Sequence, residues 1–280
     1  MALATLDQND TRFAFGRNWS DFLGVLTEER INASVECLEA MLPRDQIEGA
    51  SFLDVGSGSG LSSLAASRLG AARIHSFDYD RDSVACTEAL RRQYAPPGVT
   101  WTVEQGSALD GDYLATLGQW DIVYSWGVLH HTGAMWPAIE TVMQAVKPGG
   151  ILFIAIYNDQ GKVSEYWKSV KRLYNANPLA RAAILSLFIP YFAARDCVSD
   201  VIRGKNPIER YRTYQRKRGM SLFYDWKDWL GGYPFEVATP KAIVDFCQAR
   251  GFALEKLATD STLGCNEFVL RRTASRAELT

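Results

Sequence analysis

The chain has no C-x-x-C pair, and its five cysteines (Cys37, Cys86, Cys197, Cys247, Cys265) are odd in number and widely spaced. That pattern speaks against both a disulfide framework and a zinc site, and it makes a reducing cytoplasm the expected compartment. No apolar run of signal-peptide length precedes Asp7 and Asp10, so secretion is not expected. The most apolar run, residues 182–194, contains Pro190 and falls short of the roughly 20 residues that cross a bilayer; it is expected on a surface or in a core. Net charge is small, −2 over 280 residues, and the pI is near 6.0, which argues against a general nucleic-acid binder. There is neither an internal repeat nor a low-complexity tract, and histidine is scarce, with three residues in all.

What is present is alternation. A helix is expected over about residues 27–42, with Ile31, Val35, Leu38 and Leu42 on one face and Pro43 closing it. From residue 51 to about 158, short β-branched and aromatic runs (FLDV, RIHSFDYD, VTWTVEQG, DIVYSW, GILFIAIYN) alternate with helical patterns such as SVACTEALRRQYA and PAIETVMQAV. Such βαβ alternation predicts a parallel sheet covered by helices, and KPGG (residues 147–150) reads as the turn that ends a helix and opens a buried strand. The pattern stops for about eighty residues and resumes with a helix over 239–250, introduced by Thr239-Pro240. The runs ALEKLAT and NEFVLRR follow, joined through Thr262-Leu263-Gly264, and predict an antiparallel hairpin. Four segments result: 1–50, helical and expected to close over a site; 51–158, a ligand-binding core; 159–238, a helical, basic and aromatic lid; and 239–280, completing the core.

The stretch FLDVGSGSG (residues 52–60) runs from a strand into three glycines at every second position, which lays bare backbone at the carboxyl edge of the sheet. The dinucleotide fingerprint G-x-G-x-x-G fails here, because Leu61 stands where its last glycine belongs. Asp54, two residues ahead of Gly56, repels a pyrophosphate and attracts a cation. Asp78, eighteen residues after Gly60 at the end of the next strand, suits both hydroxyls of a ribose. A nucleoside with a positively charged tail points to S-adenosylmethionine.

With these features, residues 51–157 resemble the core of the class I S-adenosylmethionine-dependent methyltransferases, most closely the small-molecule branch that includes the ubiquinone-biosynthesis O-methyltransferases. The resemblance rests on the glycine loop, Asp78, the Gly106-Ser107-Ala108 segment, Leu129-His130-His131 and KPGG. It implies a Rossmann-like α/β fold: a mostly parallel seven-stranded sheet, a C-terminal antiparallel hairpin and a helical lid insertion. It further implies that Gly56, Gly58 and Gly60 pass under the methionine part with Asp54 close by, that Asp78 takes the ribose hydroxyls, and that Ser107 and Ala108 meet the adenine. Ser107 replaces the family's usual aspartate, with Asp110 the candidate substitute. No Asn-Pro-Pro-Tyr-like segment follows the fourth strand, where Tyr124-Ser125-Trp126-Gly127 stands instead; this turns the expectation away from nitrogen on a nucleic-acid base.

Methyl transfer is an in-line displacement for which the protein aligns the nucleophile and excludes water. A hydroxyl acceptor gains from a general base, and histidine suits neutral pH. His130 and His131 reach the same sheet edge as the glycine loop; His131 is the preferred catalytic candidate and His130 the second. The competing reading has one cap the next helix and the other pack. Tyr157 and Asn158 are expected to face the same cavity, or else to form an aromatic shelf and a turn. Residues 162–218 hold thirteen Lys or Arg against four Asp or Glu, a local +9 against −11 for the rest. That charge recognises an anionic acceptor, docks on anionic lipid beside the apolar run, or is a solvated face. Phe15-Gly16-Arg17-Asn18-Trp19 is expected to fold over the bound nucleoside or to latch onto the core.

The sequence thus predicts an S-adenosylmethionine-dependent methyltransferase with no metal, acting on a small-molecule acceptor, anionic or lipid-linked, most readily at oxygen. The alternatives are a non-catalytic cofactor- or lipid-binding module on the same core and a nicotinamide-dependent enzyme.

Overall fold

The structure, a computed structural model, describes residues 26–209, 222–259 and 264–273. Seven strands form one sheet in the order β3-β2-β1-β4-β5-β7-β6. β1 (Ser51–Val55), β2 (Arg73–Asp78), β3 (Thr100–Gln105), β4 (Trp120–Trp126) and β5 (Val146–Tyr157) run parallel. β6 (Phe252–Ala258) and β7 (Cys265–Arg272) form the antiparallel hairpin, with β7 inserted against β5. The sheet is therefore mixed, as expected for a mostly parallel sheet closed by a hairpin. Chain order reverses between β1 and β4, which leaves a crevice at their carboxyl ends.

Both faces of the sheet are covered. On one, Phe52, Ile74, Ile122 and Phe153 pack with α1 (Glu28–Met41), α2 (Arg44–Ile47), α3 (Leu61–Arg68) and residues of α4 (Arg81–Tyr94). On the other, Leu53, Val55, Leu152 and Ile154 meet α5 (Gly111–Leu117), α6 (Met135–Gln144) and α10 (Pro240–Gln248). Successive residues of one strand thus enter opposite layers, as the two-residue period of a pleated strand requires. The expected face of α1 is observed: Ile31, Leu38 and Leu42 are buried and Val35 packs at the edge of the same layer.

KPGG lies inside β5 and does not precede it. Trp120 pairs with Val146 and Ile122 with Ile151, so four residues stand opposite Asp121 alone. Lys147 pairs with the Asp121 carboxylate. Gly150 is held between carbonyls: a Cβ there would lie 2.9 Å from the oxygens of both Asp121 and Lys147.

The insertion leaves the sheet at Asn158 and returns at Ala238, and these two residues form a bridge. Ala238 N–H donates to the Tyr157 carbonyl at 3.0 Å. Between them, α7 (Lys162–Ala176), α8 (Pro178–Ile202) and α9 (Leu222–Gly231) share a core of Tyr174, Ile184, Phe192 and Leu230 with Trp167 packed against it. Asn177 caps α8, accepting from Leu179 and Ala180 N–H, and Pro178 occupies its first turn. The expectation that the apolar run is too short to cross a bilayer is corrected here. Pro190 does not end the helix, which extends at both ends to 25 residues and is long and apolar enough to cross a membrane by length and composition. The Phe15–Trp19 cluster, residues 210–218 of the basic stretch and the expected hairpin tip at 260–263 lie outside the described residues.

Because only hydrogen fits between the carbonyls at Gly150, Gly150→Ala is expected to destabilise the fold by about 2 kcal/mol. A melting curve should shift down by roughly 4 °C or more; an unshifted curve would show that the bulge relaxes without loss.

Candidate functional site

The glycine turn between β1 and α3 is fixed from three sides. Gly56 and Ser57 N–H both donate to the Phe77 carbonyl, at 2.8 and 3.0 Å, and Gly60 N–H donates to Ser57 O at 2.8 Å. Gly56, Gly58 and Gly60 have φ of 79°, 55° and 81°, in the left-handed region that favours glycine. Two of them also have neighbours too close for a side chain. A Cβ on Gly56 would lie 2.4 Å from Val128 Cγ1, and one on Gly60 would lie 2.9 Å from Thr87 Cγ2. The glycines are thus required by the protein's own packing as well as by any ligand.

Two carboxylates sit in this turn. Asp78 Oδ2 accepts from Gly58 N–H at 2.9 Å and Oδ1 from Asp80 N–H at 2.9 Å. Burial raises Asp78 to about 6 against those two bonds. Asp54 lies deeper, 2 % exposed, and accepts from Ser63 Oγ at 2.6 Å. Ser63 meets Ser76 Oγ at 2.7 Å, which also accepts from Trp101 Nε1. Burial, opposed by the Ser63 bond and assisted by the Asp78 charge, raises Asp54 to about 7. The structure therefore brings Asp54 and Asp78 together with the three glycines, Asp54 as support beneath the turn and Asp78 at its rim. Carboxylate oxygens have lone-pair capacity beyond one bond each, so Asp78 retains acceptors for ribose hydroxyls.

At the next edge, Gly106 N–H donates to the Asp78 carbonyl at 3.0 Å, which sets Ser107 beside it. Ser107 Oγ accepts from Leu109 N–H at 3.2 Å, and Ala108 is buried in the core layer. Asp110 caps α5 by accepting from Tyr113 N–H at 2.9 Å. The cap engages Oδ1 of Asp110, which stands three residues beyond Ser107 at the same edge. Tyr79 and Leu109 are exposed apolar side chains flanking this edge.

The histidines follow β4 in a single 3₁₀ turn, Leu129–His131. Val128, against which Gly56 packs, joins this turn directly to the glycine turn. His130 is fully buried between His131 and Tyr157, with ring centroids 4.4 and 4.1 Å away. His131 Nδ1 lies 2.6 Å from the Pro234 carbonyl. A carbonyl only accepts, so Nδ1 carries the proton and Nε2 is the basic nitrogen. Burial, against the Pro234 bond and with the Lys171 charge, lowers His131 to about 3; burial and the neighbouring charges hold His130 well below its ordinary value. Both imidazoles are neutral at pH 7. Tyr157 joins them as expected. Asn158 is tied to β7, its Oδ1 accepting from Asn266 Nδ2 at 3.1 Å.

The insertion roofs this pair. Lys171, fully buried, donates to the Trp229 carbonyl and lies 3.9 Å from the Trp229 ring centroid; Asn175 Nδ2 donates to Gly231 O at 2.7 Å. These two residues of α7 thus cap the last carbonyls of α9 and fix the strap that follows it. In that strap Pro234 meets His131, Glu236 N–H donates to His130 O at 3.0 Å, and the Glu236 carboxylate accepts from Met135 N–H at 3.0 Å. Burial raises the Glu236 pKa. Lys171, Glu236 and Val128 escaped the sequence reading. One signal was available: Lys171 falls on the stripe Ser164, Trp167, Lys171, Tyr174, a lysine at helical spacing among aromatics.

Residues 53–152 match the family described as "Methyltransferase domain". The chain is 28% identical over 121 residues to a ubiquinone biosynthesis O-methyltransferase of Caulobacter vibrioides, covering 41% of this chain and 44% of that protein. It is 40% identical over 62 residues to a ribosomal protein L11 methyltransferase of Trichlorobacter lovleyi, covering 21% and 20%. The chain therefore spans less than half the length of these curated relatives. Among solved structures, a magnesium protoporphyrin IX methyltransferase of Synechocystis PCC 6803 with bound SAH superposes with a TM-score of 0.57 at 14% identity, covering 95% of this chain and all of that one; this likeness shows the fold. Taken with the glycine turn and its two carboxylates, these matches make residues 53–152 similar to a methyltransferase domain.

Proposed function

We propose that the protein transfers a methyl group from S-adenosylmethionine to a hydroxyl of a small molecule. The reading rests on one juxtaposition: a carboxylate-lined glycine turn for the cofactor, packed through Gly56 and Val128 against two neutral histidines under an aromatic roof. Asp78 would hold the ribose hydroxyls, the bared turn Gly56–Gly60 the methionine part, and Ser107, Ala108, Tyr79 and Leu109 the adenine edge. Asp54 would hold the turn in shape through Ser63 and add negative charge beneath a sulfonium.

The sulfonium supplies both the methyl group and its leaving group. The protein's own task is then to aim the acceptor oxygen and accept its proton. His131 is suited to the second part, because the Pro234 carbonyl keeps its proton on Nδ1 and leaves Nε2 as the accepting atom. A basicity as low as that of the resting site makes it a weak base alone. Proton uptake becomes easier as transfer proceeds, since the positive charge of the sulfonium disappears in the same step. His130 would position the acceptor or share its proton. The likeness to ribosomal protein L11 methyltransferases allows a protein acceptor, but it covers only 62 residues of this chain. An enclosed aromatic roof favours a small planar or apolar acceptor over a protein tail.

Calorimetric titration with S-adenosylhomocysteine tests the cofactor site. Asp78→Asn, which keeps the shape and removes the charge, is expected to weaken binding about tenfold or more; unchanged affinity would refute the ribose assignment. The ionised carboxylates are the competent acceptors, and their folded-state values of about 6 and 7 lie above the ordinary range. Affinity for S-adenosylmethionine should therefore be full at pH 8 and fall as the pH drops through 7 and 6, with Asp78→Asn flattening the lower part of that profile. His131→Gln should bind the cofactor normally yet form S-adenosylhomocysteine from cell-extract acceptors roughly 10²-fold more slowly or worse. Equal turnover would remove His131 from the chemistry and leave it a strap anchor. Absence of turnover in the intact protein, with cofactor bound, would favour the non-catalytic module.

A further inference from the structure

The outward face of α8 is unlike the rest of the surface. Leu179, Leu187, Tyr191, Val198, Val201 and Ile202 are 56–82 % exposed, and at helical spacing they form one stripe along a helix about 37 Å long. Ala183 and Ala194 fill the gaps between them, also exposed, and no charged residue occurs from 182 to 194. The inward face instead packs Ile184 and Phe192 into the insertion core.

The charges of this helix are sorted. Its two acids, Asp196 and Asp200, are buried, with 6 % and 3 % exposed, whereas Arg181 and Arg195 are exposed. Arg195 also pairs with Asp196 at 2.7 Å, which neutralises that acid from the outside. Directly after the helix, residues 203–218 carry seven Lys or Arg and one Glu. Of these bases Arg203 and Lys205 lie among the described residues and both are exposed, so the stripe ends in positive charge, in a chain whose remaining residues are acidic overall.

We propose that α8 lies in the plane of an anionic lipid surface, its apolar stripe entering the headgroup boundary and the exposed Arg203 and Lys205 at its end pairing with lipid phosphates. This reading is independent of which acceptor is methylated. A second copy docked on the stripe would cover its apolar part but leave the surplus positive charge at its end without a counter-charge, whereas an anionic surface meets both. A membrane-crossing helix would carry Asp196 and Asp200 into hydrocarbon and pull α8 off its insertion core. The surface orientation keeps both aspartates buried in protein and uses the basic segment.

Flotation of the full chain with vesicles of phosphatidylcholine, alone or with about one-third phosphatidylglycerol, tests the proposal. The protein should float with the mixed vesicles, bind the neutral ones weakly, and dissociate as salt is raised. Leu187→Asp with Tyr191→Asp should abolish flotation while circular dichroism and S-adenosylhomocysteine binding stay unchanged. Arg203→Glu with Lys205→Glu, outside the helix core, should weaken it roughly fivefold or more for each base lost. Failure of the folded wild type to float, flotation unaffected by either pair, or resistance to alkaline carbonate extraction would each overturn the proposal. So would a dimer that dissociates only in Leu187→Asp with Tyr191→Asp.

Discussion

Two carboxylates held at a turn of bare backbone, Asp54 buried beneath it and Asp78 at its rim, are the constraint on which this structure depends. Asp54 and Asp78 are each costly to hide, and the fold offsets that with donors placed at hydrogen-bond distance: Ser63 for one, the Gly58 and Asp80 amides for the other. The offset is partial, which is why both titrate above the usual carboxylate range. To present its amide to Asp78 the turn must coil through left-handed conformations, and to coil there it must be glycine. The βαβ order around it serves this geometry, since only at the reversal of strand order do β1, β2 and β4 leave room for a ligand between their ends.

The insertion acts on the chemistry through a short mechanical chain. Lys171 and Asn175 hold the end of α9, the strap after α9 holds Pro234 and Glu236, and these hold the two histidines from above. A segment whose sequence reads as a charged lid is, in its inner half, a clamp. Its lysine is buried against aromatic faces and a carbonyl, a placement that charge counting along the chain cannot distinguish from solvent exposure.

Periodicity made the fold legible. Residues 51–158 alternate cleanly, and Leu61 in place of the last glycine distinguishes this turn from the dinucleotide fingerprint. That the glycine turn, Asp54 and Asp78 come together was also readable, because they stand at the ends of neighbouring parallel strands. The remainder depends on contacts across long separations. Gly56 against Val128, His131 against Pro234 and Lys171 against Trp229 join residues 72, 103 and 58 positions apart. No local pattern encodes them. The position of KPGG was misjudged for a related reason: a bulge opposite Asp121 is a property of two strands, and one strand alone reads as a turn. The extent of α8 was not legible because Pro190 reads as a break and the charges from Arg195 onward end the apolar run, although the helix continues to Ile202 with Asp196 and Asp200 buried.

The bridge between Asn158 and Ala238 has a consequence for how such a protein changes over time. Some eighty residues leave and re-enter the sheet at adjacent points, joined there by backbone hydrogen bonds that do not depend on what lies between. The core therefore behaves as a socket: a different helical cap could be grafted at the same junction without altering strand register or the glycine turn. New acceptor preferences can then arise by exchange of one contiguous segment, while the machinery for the shared cofactor is inherited intact.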